Sequence, residues 1–386
     1  MSKKENRAII IGGSLAGLFT GVLLRSVGWE VDIYERSLHS LDSRGGGIVL
    51  QPDTEEAFRR AGISLTGLGV VANERYYLQH NGSIDRMPIR QTLTSWNMLY
   101  NAMRRHLPKE NYHQGKTLEK FVQEGKKVTA FFTDGQQEAG DILIGADGPM
   151  SSVRQQLLPT YEPKYAGYVG YRGLVDESAL DLETAEILTE RFVFYQFPNS
   201  HILQYVIPGE NESLTPGERR FNWVWYVNHS EETELPALLT DKNSRQRQHS
   251  VPPGMMSLEA EQQTRGYANQ MLAKPFQKLV AATEEPFVQS ILDLGVPQMA
   301  FDRVALVGNA AFIPRPHTAA SASKAAANAI ALADALIDHN HDVHKALKSW
   351  EHDQLALGMY LWKRGQSLGE RSQFTYGKAR SEALVK

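Results

Sequence analysis

Short β-branched apolar runs that break into glycine stand near both ends of this sequence, and longer strand-like stretches separated by polar turns fill its middle. The first run, Arg7-Ala8-Ile9-Ile10-Ile11, breaks at once into Gly12-Gly13-Ser14-Leu15-Ala16-Gly17, and a helical pattern follows. A second run, Val31-Asp32-Ile33-Tyr34, closes at Glu35. Strand, glycine turn, helix and acid-closed strand make a βαβ opening that extends to about residue 75. Inside it, Arg44-Gly45-Gly46-Gly47-Ile48 reads equally well as a close backbone approach to a flat ligand or as a flexible loop.

Further along, Leu99, Met103 and Leu107 share one face of a helix predicted over 97–107. Val128–Phe132 is a strand leading into the turn Asp134-Gly135, and Asp141–Gly145 is a buried-type strand ending in Asp147-Gly148. From about 166 to 285 the pattern changes to strands over 191–197, 201–207 and 220–228, broken by Pro208-Gly209 and Pro216-Gly217. Runs of strands after a βαβ opening predict a second, antiparallel sheet. Leu235 to Gly254 is turn-rich and reads as an exposed excursion. Arg303–Val307 is a strand that breaks at Gly308-Asn309, followed by Pro314-Arg315-Pro316-His317 and an alanine-rich helix from Ala319 to about Ile337. Small side chains let a helix approach a neighbour or ligand closely, and alanine is also the best helix former. Residues 344–376 read as closing helices with Leu347, Trp350, Leu355 and Leu361 facing inward.

The opening unit suits an adenine dinucleotide, because a glycine turn lets pyrophosphate approach the positive end of a helix. Glu35 follows at close to the roughly 20-residue spacing expected of an acid that holds an adenosine ribose. The usual G-x-G-x-x-G is here G-x-S-x-x-G, with Ser14 at the position where the backbone nears phosphate.

At 386 residues the chain is long enough for about two domains. A formal net charge of -3 supplies no basic field, which sets nucleic acid aside as a partner. No apolar stretch approaches the roughly 20 residues needed to span a bilayer. Met1–Asn6 leads straight into the first strand, so no membrane association and a cytoplasmic location are expected. The absence of cysteine excludes disulfides, thiolate metal sites and a cysteinyl cofactor link, so any redox chemistry needs a bound organic cofactor.

Three motifs stand in order: Gly12-x-Ser14-x-x-Gly17 ending at Glu35, Asp147-Gly148-x-x-Ser151-x-Val153-Arg154, and Gly308-Asn309-Ala310-Ala311. This arrangement resembles the class A, single-component FAD-dependent aromatic hydroxylases, the family of para-hydroxybenzoate hydroxylase. The resemblance implies an α/β fold: a Rossmann-like FAD-binding domain, an inserted antiparallel substrate domain, and C-terminal helices. The expected partition is 1–75, 96–165 and 286–343 for FAD, 76–95 and 166–285 for substrate, and 344–386 for the helical segment.

It also implies roles. Gly12, Gly13, Ser14, Leu15, Ala16 and Gly17 would line the pyrophosphate of non-covalent FAD, with Glu35 and Arg36 at the adenosine. Asp147 and Gly148 would serve FAD and the reducing nicotinamide, while Gly308 and Asn309 would meet the ribityl chain. Gly47 and Ile48, with Ala319, Ala320 and Ser321 at a helix start, would approach the flavin ring. Two departures stand out: the family's Gly-Asp is Gly308-Asn309 here, and Trp96 replaces an arginine often found three residues before Leu99. An amide can still bond a ribityl hydroxyl but carries no charge.

The implied cycle reduces FAD with NADH or NADPH, forms a flavin C4a-hydroperoxide with O2, and hydroxylates an electron-rich hydroxylated aromatic or N-heteroaromatic ring. Close relatives suggest a homodimer, and no metal is implied. His317, after Pro316, is the candidate catalytic residue, since a histidine can hold or deprotonate a ring hydroxyl; shaping its loop is the other reading. Gln51, Tyr205, Asn222, Tyr226, Pro316 and His317 are candidates for substrate contact. Alternation puts Asn222, Val224 and Tyr226 on one strand face and Phe221, Trp223 and Trp225 on the other, leaving open which face lines the cavity. Arg172, in Tyr171-Arg172-Gly173, reads as a substrate contact or as a structural pair. A flavin-binding protein without oxygenase activity is the alternative. A flavin-dependent halogenase is the other, although Trp223-x-Trp225 is followed by Val227-Asn228 rather than the halogenase Ile-Pro. His339-Asn340-His341-Asp342-Val343-His344 reads as a solvated turn.

Overall fold

The computed structural model describes residues 6–39, 41 and 46–375. Arg44 and Gly45 of the glycine run, the leader Met1–Glu5 and residues 376–386 lie outside the described residues. The strand Arg7–Ile11 is flanked in parallel by Glu30–Glu35 and Ile142–Gly145. Val304–Leu306 and Tyr112–Gln114 extend this parallel sheet, and Ala300–Phe301 adds an antiparallel edge. Ala8, Ile9 and Ile10 have no exposed surface, as a strand covered on both faces requires. Helix Leu15–Ser26 packs on one face together with helix Ser321–Asp338.

Two glycines make that junction possible. Gly12 has φ 106°, and a Cβ there would stand 2.4 Å from the Ala146 carbonyl oxygen. A Cβ on Gly17 would stand 1.9 Å from the Gly12 carbonyl oxygen. Backbone meets backbone in both places, so no side chain can yield. The switch point between strands Arg7–Ile11 and Ile142–Gly145 therefore stays open, where open α/β sheets bind ligands.

The second sheet runs in the order Ser250–Val251, Phe287–Gly295, Lys164–Asp176, Arg220–Asn228, Ser200–Ile207, Arg191–Phe197, Val70–Leu78, Ile84–Ser95, Gly47–Val49. Its central strands are antiparallel, while Arg191–Phe197 pairs in parallel with Val70–Leu78. The three strands expected over 191–228 are present. Gly47–Val49, Val70–Leu78, the start of Lys164–Asp176 and Phe287–Gly295 belong to this sheet, although all fall wholly or partly within the stretches expected for the nucleotide domain.

One face of the second sheet carries Phe221, Trp223 and Trp225, all without exposed surface, over helices Leu258–Met271 and Lys274–Ala281. Burying a side chain such as Phe221 or Phe276 stabilises by about 1.5–3 kcal/mol. The stretch 235–254 is exposed over most of its length, as expected, but it is anchored to the core. Leu235, Leu238, Leu239 and Val251 are buried in this core, and Asp241 is held by Arg245 N–H and the Arg247 guanidinium. Its polar turns fold back over four apolar anchors, which a reading weighted to turn residues overlooks. The other face of the sheet turns toward the nucleotide fold.

The closing segment is one helix, Val343–Gln373, with Leu347 and Trp350 buried. Trp350 Nε1 donates to the Asn328 carbonyl, tying this helix to Ser321–Asp338. His341 Nδ1 accepts from Trp29 Nε1 at 3.0 Å. Among the described residues no helix is long and apolar enough to cross a membrane.

Candidate active site

A cleft of about 560 Å³ runs from the Gly12 turn to the open face of the second sheet. This size is within the range of small-molecule and cofactor sites. At one end lie Gly12, Ser14, Leu15, Ala16, Glu35, Arg36 and Lys116. Glu35 is fixed by two backbone donors, Gly13 N–H at 2.8 Å and Ser37 N–H at 2.8 Å. Each carboxylate oxygen retains a lone pair for a ribose hydroxyl.

Two helices start on this cleft. Ser14 precedes Leu15–Ser26 and Ala320 precedes Ser321–Asp338; neither caps its helix with a side chain, and neither first turn holds an acid. Orphan N–H groups of both therefore point their partial positive charge at one space, as a pyrophosphate and an electron-accepting ring demand. Ala319 reaches the second start in the left-handed region at φ 52°, with its carbonyl oxygen held by Gln51 Nε2 at 2.9 Å.

Two loops form the floor. In the first, Asp147 Oδ2 accepts from Val153 N–H at 3.2 Å, while buried Oδ1 has no partner. Burial holds the Asp147 carboxyl above its ordinary range. Ser151 caps the short helix that follows, and Arg154 on that helix is fully buried. Its Nη2 donates to Pro149 O at 2.7 Å, Nη1 to Ala310 O at 3.0 Å and Nε to Tyr161 O at 3.0 Å. One guanidinium thus joins the Asp147 loop to the Gly308 loop.

The second loop is clamped from below. Asn328 Oδ1 accepts from Gly308 N–H at 3.0 Å. Lys324 Nζ donates to Gly308 O at 2.5 Å and Phe312 O at 2.6 Å, with Asn309 Oδ1 at 3.4 Å. Every oxygen around this buried ammonium is neutral, and burial pushes its pKa down to about 7. Asn309 keeps a carboxylate out of the turn just where a cation lies beneath it. Lys324→Met should leave these acceptors bare and weaken FAD retention by roughly 10- to 100-fold, the worth of a charged hydrogen bond. Fluorescence of flavin released on dilution measures this; unchanged retention would remove Lys324 from the account.

At the far end the walls are Phe192, Leu203, Tyr205, Val224, Tyr226 and Phe287, with Gln289 and Arg172. This answers the question of faces: Val224 and Tyr226 look into the cleft, and the tryptophans look away. Trp96 also lines the cleft, stacked on Tyr100 at 4.7 Å.

Most expected site residues converge on this cleft: Gly12, Ser14, Leu15, Ala16, Glu35, Arg36, Gly47, Ile48, Asp147, Gly148, Gly308, Asn309, Ala319, Ala320 and Ser321, with Tyr205, Tyr226 and Pro316. Five stand behind it. Gly13 spends its N–H on Glu35, and Gly17 packs against Gly12. Gln51 holds Ala319, and Asn222 Oδ1 accepts from Gly47 N–H at 2.7 Å.

His317 lies one layer back, its ring 4.5 Å from that of Tyr226 and its Nε2 3.0 Å from the Tyr168 hydroxyl. Burial, with help from His201 and Arg315, lowers its pKa to about 3, so the imidazole is neutral at pH 7. Arg154 and Lys324 carry no role in the sequence reading. Lys324 had a signal, being the sole charged residue between Ala319 and Ala333.

A family model described as FAD binding domain-like matches residues 165–293. The chain is 32% identical to the 2,6-dihydroxypyridine 3-monooxygenase of Paenarthrobacter nicotinovorans, over 97% of this chain and 93% of that protein. It is 26% identical to the 6-hydroxynicotinate 3-monooxygenase of Pseudomonas fluorescens, over 88% and 86%. Among solved structures, 2,6-dihydroxypyridine-3-hydroxylase from Arthrobacter nicotinovorans superposes with a TM-score of 0.90 at 33% identity, covering 96% of this chain and 94% of that one.

Proposed function

The chain belongs to the class A FAD-dependent aromatic-ring hydroxylases, and we propose that its cleft holds FAD from Glu35 to the Ala320 helix start, with a small hydroxylated N-heteroaromatic ring beyond. The enzyme is an NAD(P)H-using monooxygenase. The observation that carries the placement is the pair of uncapped helix starts facing one cleft, with buried Asp147 Oδ1 awaiting a donor. Relatives named as monooxygenases set aside the halogenase and the oxygenase-inactive readings.

Bound FAD, reduced by NAD(P)H, supplies activated O2: one oxygen atom enters the ring carbon–hydrogen bond as hydroxyl and the other leaves as water. The chain does the rest. The first turn of Leu15–Ser26 takes the pyrophosphate, and Glu35 takes the ribose. The start of Ser321–Asp338 stabilises negative charge on the ring system it faces. Asn222 sets the Gly47–Ile48 edge, and Gln51 sets the Ala319 carbonyl, so both act as positioning residues. Phe192, Leu203, Val224 and Phe287 keep water from the reacting carbon. Tyr205 and Tyr226 offer hydroxyls to the ring substituents. His317 acts through Tyr168 and Tyr226 as a positioning residue, because a neutral imidazole one layer behind the wall does not touch the ring.

Purified protein should be yellow, release FAD on denaturation, and oxidise NAD(P)H faster when given 2,6-dihydroxypyridine, with a product heavier by one oxygen atom. A colourless chain that takes up no added FAD would end this reading.

A further inference from the structure

The sheet wall of the cleft holds one charged group among the described residues, and no protein group neutralises it. Arg172 lies in register with Val224 on one neighbouring strand and Phe287 on the other, both of which line the cleft. Its Nε is sealed from water without a hydrogen-bond partner. The guanidinium lies beside Gly46, where a Cβ would stand 3.3 Å from its Nη1. Nearby Asn222 Oδ1 is already engaged by Gly47 N–H. The hydroxyls of Tyr205 and Tyr226 sit within the field of Arg172, which opposes the rise that burial imposes on both.

A cation held against apolar rings with donors unspent is costly unless an anion joins it. A guanidinium presents its donors in a flat fork, matched to a carboxylate or to the O–C–N edge of an ionised hydroxypyridine. Tyrosine hydroxyls and the Gln289 amide, also on this wall, complete a set suited to a planar, oxygen-rich ring. Resting on the FAD-hydroxylase reading, we propose that Arg172 is the anion anchor of the ring pocket, so that substrate binds as a planar anion, through an ionised ring oxygen or a ring carboxylate. Anchoring an ionised ring also selects its more electron-rich form, which is the form that an electrophilic oxygen attacks.

The test uses FAD-loaded protein with flavin content measured first. Wild type, Arg172→Gln and Arg172→Lys are titrated with 2,6-dihydroxypyridine, 6-hydroxynicotinate and the neutral 2,6-dimethoxypyridine, following the flavin absorption spectrum. Binding of the anions by Arg172→Gln should weaken by roughly 10- to 100-fold, with Arg172→Lys between, while the dimethoxy ring binds all three alike. Wild-type affinity for dihydroxypyridine should tighten as pH rises through ionisation of that ring, and the Gln variant should lose this dependence. Loss with dihydroxypyridine identifies the ring oxygen as the anion, loss with hydroxynicotinate alone the carboxylate, and both support the anchor. Equal losses for charged and neutral rings, undiminished binding by the Gln variant, or a wild type blind to both anions would overturn it. A protein that binds no FAD fails the earlier reading instead.

Discussion

Arg154→Leu should purify largely colourless and unfold at a lower denaturant concentration than wild type. The guanidinium is fully buried and spends three donors on the carbonyls of Pro149, Tyr161 and Ala310. Leucine fills much of the volume and donates nothing, so three buried acceptors lose their partner together. Each charged hydrogen bond is worth about 1.5–3 kcal/mol, and breaking a buried network of this kind costs about 3–5 kcal/mol in all. The larger effect is on the cofactor, because Pro149 and Ala310 belong to the two loops that floor the cleft. With the Asp147 and Gly308 loops free to drift apart, FAD affinity should fall by more than about 100-fold, or roughly 3 kcal/mol. Urea unfolding and the flavin-to-protein absorbance ratio read the two losses separately. Arg154→Lys keeps the charge but lacks the fork, and should retain part of the FAD. Full FAD content and an unmoved urea midpoint in Arg154→Leu would show that the loops hold themselves.

That role was hidden although Arg154 stands within a motif whose order along the chain is informative. Sequence spacing exposes residues whose backbone must obey a local rule, and those were the legible ones. Gly12 and Gly17 had to be glycine because carbonyls crowd them, and Ser14, Leu15 and Ala16 follow directly at a helix start. Glu35 ends one strand beside that turn and Asp147 follows another by two residues, so their neighbourhood followed from a parallel sheet. Side chains that clamp one loop to another from beneath are set by tertiary distance alone. Arg154 reaches Ala310 across 156 positions, and Asn222 reaches Gly47 across 175. Neither separation leaves a periodic trace.

The strand faces show a second limit. Arg220–Asn228 is buried on both sides, so Val224 and Tyr226 cannot be ranked against Trp223 and Trp225 by polarity. Only the helices behind the tryptophans decide the matter, and those helices lie 30 or more positions later. For His317 the proline-flanked context was legible, but its desolvation by Tyr168, Tyr226 and His201 was not. Burial turns a residue expected to titrate near neutrality into a neutral spacer.

Acid should destabilise this protein well before its carboxylates titrate. His201 and His317 face each other with ring centroids 6.1 Å apart, among Phe194, Tyr168 and Tyr226, with Arg315 the nearby charge. Burial lowers their pKa values from 6.5 to about 4 for His201 and about 3 for His317. Both folded values lie below the unfolded one, so the unfolded chain takes up protons first as pH falls. The stability they confer is therefore complete above pH 6.5 and is lost progressively from there toward pH 4 and 3. At pH 5 each histidine should cost about 2 kcal/mol, together about 4 kcal/mol, a large share of a typical 5–15 kcal/mol. Ordinary carboxylates contribute little between pH 7 and 5, since their unfolded values lie near 4. Urea midpoints at pH 7 and pH 5 measure the loss. His201→Phe keeps a flat ring against Phe194 and should remove part of the difference; the double variant with His317→Gln should remove more, leaving the share of His229 and His249, which burial also lowers. An unmoved wild-type midpoint, or a double variant as acid-sensitive as wild type, would mean that solvent already reaches these imidazoles.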